Sequence, residues 1–144
     1  MRRLALPLGL VLGLLVAGSV SAASTSAFTG EWIGNDPAPP DGDGSVVHLY
    51  ITGGTHAQLT FTDEYGTVCI NHGSSDPFFT STLTGEVSKD MLVATFRTAR
   101  CGSVPLQFLR GNTMLLFLDR GATDDPSDDT LDDAFGGVTW HRVS

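Results

Sequence analysis

The chain has 144 residues, with 8 basic and 16 acidic side chains for a formal charge of -8, and only 2 cysteines. That balance argues against a nucleic-acid grip or an anionic membrane surface, both of which need a basic footprint. The length suits one domain.

In chain order the first element is a leader. Arg2 and Arg3 make a positive start, Leu4 to Val16 is apolar and small, and Val20-Ser21-Ala22 offers the small residues of a cleavage site. This is the layout of a secretory signal peptide. The expected division is residues 1–22 as a Sec-type signal and 23–144 as one domain, secreted or periplasmic. Loss of Arg2 and Arg3 takes the charge to -10 (6 basic, 16 acidic). The apolar run is too short to span a bilayer, and no second one follows, so no membrane span is expected.

After the leader the text reads as strands. Val, Ile, Thr and Phe cluster in short runs punctuated by Gly, Asp, Asn and Pro, the pattern of an all-β chain. Nine strands are expected, at about 28–34, 45–52, 56–62, 66–71, 78–88, 91–99, 104–110, 113–119 and 137–143. Facing residues set the hairpins. A three-residue loop Gly53-Gly54-Thr55 pairs Leu49 with Leu59 and Val47 with Phe61. A Lys89-Asp90 turn pairs Val87 with Leu92, Gly85 with Ala94 and Leu83 with Phe96. A Gly111-Asn112 turn pairs Leu106 with Phe117 and Phe108 with Leu115. Such consecutive hairpins make an antiparallel up-and-down meander, and eight or nine strands remove their edges by closing, or nearly closing, into a barrel.

Cys69 and Cys101 are expected to pair as a structural disulfide in an exported chain. There is no C-x-x-C, and two thiols do not make a zinc site.

Thr29-Gly30-Glu31-Trp32 and the terminal Thr139-Trp140-His141-Arg142 carry a resemblance. A Gly-x-Trp on the first strand looks like the opening of calycin-type barrels, the lipocalins and avidins. The resemblance implies that Trp32 plugs one end and that Arg142, in phase with Trp140, packs across it, a favourable cation–π arrangement. Gly30, Trp32, Trp140 and Arg142 are therefore the expected barrel-closing set. The chain also resembles uncharacterised small exported bacterial all-β proteins with a D-G-S turn after the first strand and a final T-W-x-R. A third likeness is to small bacterial inhibitors of secreted metalloproteases, which are exported eight-stranded barrels with one disulfide.

Chemistry-bearing clusters are sparse. His48 and His56 share a face but lie about 13 Å apart in the expected register. His72 and His141 complete the histidines. Asp119, Asp124, Asp125, Asp128, Asp129, Asp132 and Asp133 crowd one 15-residue loop, and hard oxygen ligands there make Asp124, Asp125, Asp128 and Asp129 a weak calcium candidate; the competing reading is turn chemistry, because Asp side chains satisfy nearby backbone N–H groups. Neither this stretch nor Asp41-Gly42-Asp43-Gly44-Ser45 has EF-hand spacing. No G-x-S-x-G elbow exists, and His72-Gly73-Ser74-Ser75-Asp76 holds the triad residue types in one loop, where they cannot adopt triad geometry. No catalytic residue is expected, and the chain reads as a non-enzyme.

The expected inner face carries Phe61, Phe79, Leu83, Phe96, Phe108 and Phe117. These side chains either line a cavity for a small apolar ligand or fill the interior. The opposite stripe, Leu109, Met114, Leu116 and Leu118, is either a second buried layer or a patch for a protein partner. The leading expectation is a binding protein holding a small apolar ligand in the barrel, monomeric or homodimeric. The alternative is a protein-interaction module such as a secreted protease inhibitor or a cell-surface protein.

Overall fold

The computed structural model describes residues 26–37, 43–134 and 137–143, so the expected signal peptide lies outside the described residues. Apolar residues alternate along most strands, and the side chains of one face meet around a common axis. The strands are β1 (Gly30–Asn35), β2 (Val46–Gly53), β3 (His56–Asp63), β4 (Phe79–Ser88), β5 (Met91–Cys101), β6 (Val104–Pro105), β7 (Thr113–Asp119), β8 (Thr130–Asp133) and β9 (Thr139–Arg142). One short helix, α1 (Thr67–Asn71), joins β3 to β4.

Every pairing is antiparallel. The order runs β1, β2, β3, β4, β5, β7, β8, β9 and returns to β1, a closed up-and-down barrel of eight strands with β6 attached to the far end of β5. The all-β meander expected from the sequence is therefore the fold.

The Lys89-Asp90 hairpin has the expected register, with Val87 opposite Leu92, Gly85 opposite Ala94 and Leu83 opposite Phe96. Lys89 takes φ 56°, the left-handed conformation that a tight two-residue turn asks for. The β2–β3 hairpin slides by two residues: Leu49 faces Phe61 and Ile51 faces Leu59. The last pair before the turn is Gly53 with Ala57, and Gly53 takes φ 90°, where a Cβ would lie 2.5 Å from the His56 carbonyl oxygen. A slip of two keeps every side chain on its expected face.

Three expected elements differ. The 66–71 strand is helix α1: only Val68 and Cys69 must reach inward, and one helical turn does that while bringing Cys69 to Cys101. The 104–110 strand is reduced to β6 and a 3₁₀ turn at Gln107–Leu109. Pro105 has no N–H to extend a ladder, and β7, not this segment, takes the edge of β5, with Leu92 opposite Leu116. The pairing of Leu106 with Phe117 is therefore absent. Finally, β8 lies in the stretch read as an Asp-rich loop. Asp is a poor strand former, yet Leu131 is fully buried on the inner face and β7 and β9 hold the strand on both sides.

Two clusters of buried side chains result. The larger fills the barrel and includes Phe28, Trp32, Leu49, Leu83, Leu92, Leu116, Leu131 and Trp140. The smaller, Cys69, Phe79, Ala99, Cys101 and Leu106, lies under α1 and the β5–β7 connection. The Cys69–Cys101 disulfide, 5.5 Å between Cα atoms, ties α1 to the end of β5.

Candidate functional site

The chain's two barrel ends are built differently. At the end where β1 begins and β9 finishes, a turn at Ser26–Thr29 sends Phe28 into the core, where it is fully buried. The Trp32 indole donates from Nε1 to the Phe28 carbonyl oxygen at 2.9 Å. Arg142 lies over the Trp32 ring, 4.2 Å from its centroid. Its guanidinium donates to the carbonyl oxygens of Thr29 at 2.7 Å, Pro126 at 3.0 Å and Ala27, and sits 3.5 Å from the buried Asp129 carboxylate. A Cβ on Gly30, at φ 141°, would come 2.9 Å from that guanidinium. Trp140 lies two residues before Arg142 on β9 and is buried in the core. Gly30, Trp32 and Arg142 thus meet at one mouth of the barrel, whereas Trp140 lies further down the interior, opposite Gly34 and Leu131 and edge-on to Phe61.

The six residues expected on the inner face divide. Leu83 is in the barrel core, and Phe61 and Phe96 pack against it. Phe79 belongs to the smaller cluster and meets Phe61 edge-on at 5.7 Å between centroids. Phe108 and Phe117, expected on the inner face, both face outward. Phe117 sits opposite Met91 on the outer side because Leu116 and Leu118 take the inner face of β7; Phe108 falls in the 3₁₀ turn and stacks on His72 at 4.4 Å. Of the stripe expected as a second buried layer or a partner patch, Leu116 and Leu118 belong to the barrel interior itself, with Met114 packed against it, whereas Leu109 packs on the smaller cluster.

The Asp-rich loop is organised by its own hydrogen bonds. The Asp125 carboxylate accepts from the Ser127 N–H and caps the 3₁₀ turn at Pro126–Asp128; these bonds hold its pKa below the ordinary carboxylate value. Asp128 accepts from the Thr123 N–H and hydroxyl at 3.1 and 2.7 Å. Asp129 is buried and sits 3.5 Å from the Arg142 guanidinium, at the edge of a loop hollow that Asp124 also lines. Among the described residues no group of three His, Cys, Asp or Glu side chains is arranged to hold a metal ion. His56 pairs with Glu86 at 2.7 Å and His48 faces Glu31 at 3.7 Å, on separate parts of the outer surface.

At the other end of the barrel, Asp36, Asp43 and Asp63 gather behind β1 and β2. Burial, then the Asp63 and Asp43 carboxylates, push the Asp36 pKa up to about 6. Burial also works against ionised Asp43, but hydrogen bonds from Ser45 and Thr67 outweigh it and hold its pKa down. Asp63 accepts from the Ser45 hydroxyl at 2.6 Å.

A hollow of about 470 Å³ lies elsewhere, on the outer face of β4 and β5. A β-bulge shapes it. Leu83 pairs with Phe96 and Thr82 with Thr98, so Arg97 is an extra residue without a partner. A bulge inserts one residue and re-aims its neighbours. Arg97, Thr98 and Arg100 consequently all face outward, while Phe96, Ala99 and Cys101 face inward. The β5–β7 connection folds back as a wall: Pro105 pairs with Arg100, Leu106 N–H donates to the Ala99 carbonyl at 2.8 Å, and Gly111 N–H to Phe96 at 3.0 Å. It brings Gln107 and Arg110 to the rim. None of these arginines stood out in the sequence. Two arginines three residues apart fall on opposite faces of a regular strand, and only the bulge unites them.

Compared with protein-family models, curated proteins and solved structures, the chain gives no match. No described helix is long and apolar enough to cross a membrane.

Proposed function

We propose that the protein is an exported, non-enzymatic binding protein that recognises its ligand on the outside of the barrel, at the hollow over β4 and β5. The observation that carries this reading is the filled interior. Trp32, Leu49, Leu83, Leu92, Leu116, Leu131 and Trp140 are each 1% exposed or less, so no water-sized space borders them. A small apolar ligand inside would have to displace close-packed side chains, at the cost of several kcal/mol. The calycin-like barrel then serves as a rigid scaffold, and its connections carry recognition. A protein partner is the second reading, favoured by the exposed Val104 and Phe108 on the connection that walls the hollow; a secreted inhibitor or a cell-surface protein would use such a rim.

The test is titration with Nile red, a neutral apolar dye. The native protein is expected to show no saturable uptake. Saturable one-to-one uptake that Leu92→Trp abolishes would place a ligand inside the barrel and overturn the outer-surface reading.

A further inference from the structure

We propose that the hollow over β4 and β5 binds a small molecule through an oxyanion group, held by Arg97, Arg100 and Arg110. The inference rests on the outer-surface reading above and names its ligand chemistry.

The hollow gathers three of the chain's seven arginines and none of its 16 acidic residues. Of the five described arginines, Arg120 pairs with Asp90 at 3.2 Å and Arg142 with Asp129. Among the described residues Arg97, Arg100 and Arg110 form no ion pair. Three guanidinium groups around one concavity repel each other, and a bound anion relieves that repulsion.

The arginines are positioned for this by the fold. Arg97 is the bulge residue, and its Nε donates to the Thr84 hydroxyl at 2.6 Å, which leaves the two terminal nitrogens of the fork to a ligand. Arg100 is anchored in the ladder between Thr80 and Pro105. Arg110 closes the rim from the returning connection. Planar forks of fixed geometry suit two-point bonding to carboxylate, phosphate or sulfate oxygens. Apolar Pro105 and Leu106 line one side and suit the organic body of the ligand. A volume of about 470 Å³ lies within the roughly 300–1,000 Å³ of small-molecule sites. The net charge of -8 repels anions at long range, so binding here is short-range and needs the arginine cluster itself.

The experiment is NMR of the full secreted chain, following backbone amides and arginine Nε–H signals. Inorganic phosphate and benzoate are added in separate titrations at constant ionic strength set by sodium chloride. At least one of them should saturate, with shifts confined to Arg97, Arg100, Arg110 and Gln107. Arg100→Gln should weaken it about tenfold, and Arg110→Gln should do so as well. Both residues are exposed, and a dispersed spectrum confirms that each variant is folded. Saturation by phosphate alone or by benzoate alone supports the proposal and assigns the head group. Failure of both to saturate overturns it, as do equal shifts at Lys89 and Arg120, which mark general screening. Failure here with no Nile red uptake removes the oxyanion but leaves recognition on the outer surface; saturable Nile red uptake removes the outer-surface reading itself.

Discussion

Arg142 joins four stretches of chain through one guanidinium: the turn at Ala27–Thr29, the Trp32 ring, the Pro126 carbonyl and Asp129. Its side chain is 14% exposed and that of Asp129 10%, so the charge is compensated mainly by protein. Arg142→Ala would leave Asp129 buried without its cation and three carbonyls without a donor. The expected loss is about 3 kcal/mol, seen as a lower urea midpoint. Arg142→Lys should recover less than half, because an ammonium cannot reproduce the fork. Asp36 acts in the opposite sense. Its carboxyl stays protonated to about pH 6 in the folded protein, against an ordinary value of 3.8. Folding therefore takes up a proton between those values, and Asp36 makes stability fall as pH rises through that window and level off above it. Asp36→Asn should stabilise the protein at pH 7 by about 1 kcal/mol, allowing for solvent screening, and leave it unchanged at pH 3. Equal gains at both pH values would reject the carboxylate cluster as the cause.

Among the elements, α1 and the β5–β7 connection depend on the disulfide more than on their own propensities. Five residues make a helix too short to stand alone, and β6 contributes two residues of ladder. The bridge spans a separation of 32 residues, which corresponds to about 3–4 kcal/mol of loop-closure stabilisation. Reduction is therefore expected to lower the thermal midpoint and to raise hydrogen exchange first in 66–78 and 102–112. The barrel strands, laddered on both sides, should keep their protection. Uniform loss of protection across β1 to β4 would show instead that the smaller cluster is part of one cooperative unit. The same distinction explains which strands were legible. The β4–β5 hairpin repeats its apolar alternation over many residues with a two-residue turn between, and the register follows. The 66–71 and 104–110 segments carry strand-forming residues but lack a free edge to join, and β8 carries strand-avoiding aspartates but has two edges waiting for it. Local propensity ranks what a segment prefers; edge availability decides what it does.

For the molecule as a whole, closure places one face of every strand around a single core. Leu92 is fully buried in it, beside Leu116 on the neighbouring strand. Leu92→Ala should cost about 2–5 kcal/mol, read as a lower urea midpoint. An unchanged stability would mean that the interior has slack, contrary to the filled core. The sequence by itself determined the all-β class, the meander, the pairing of the only two cysteines and the phase that unites Trp140 with Arg142. Period-two alternation and turn residues are local, and a strand carries them whatever it pairs with. Only the tertiary structure decided that β7 joins β5 across the returning connection, that Phe108 and Phe117 face solvent, and that β8 exists. Those outcomes depend on which edges closure leaves open. It also decided the arginine hollow, because one bulged residue at Arg97 reverses the facing of everything after it, and no local pattern announces where a strand takes up an extra residue.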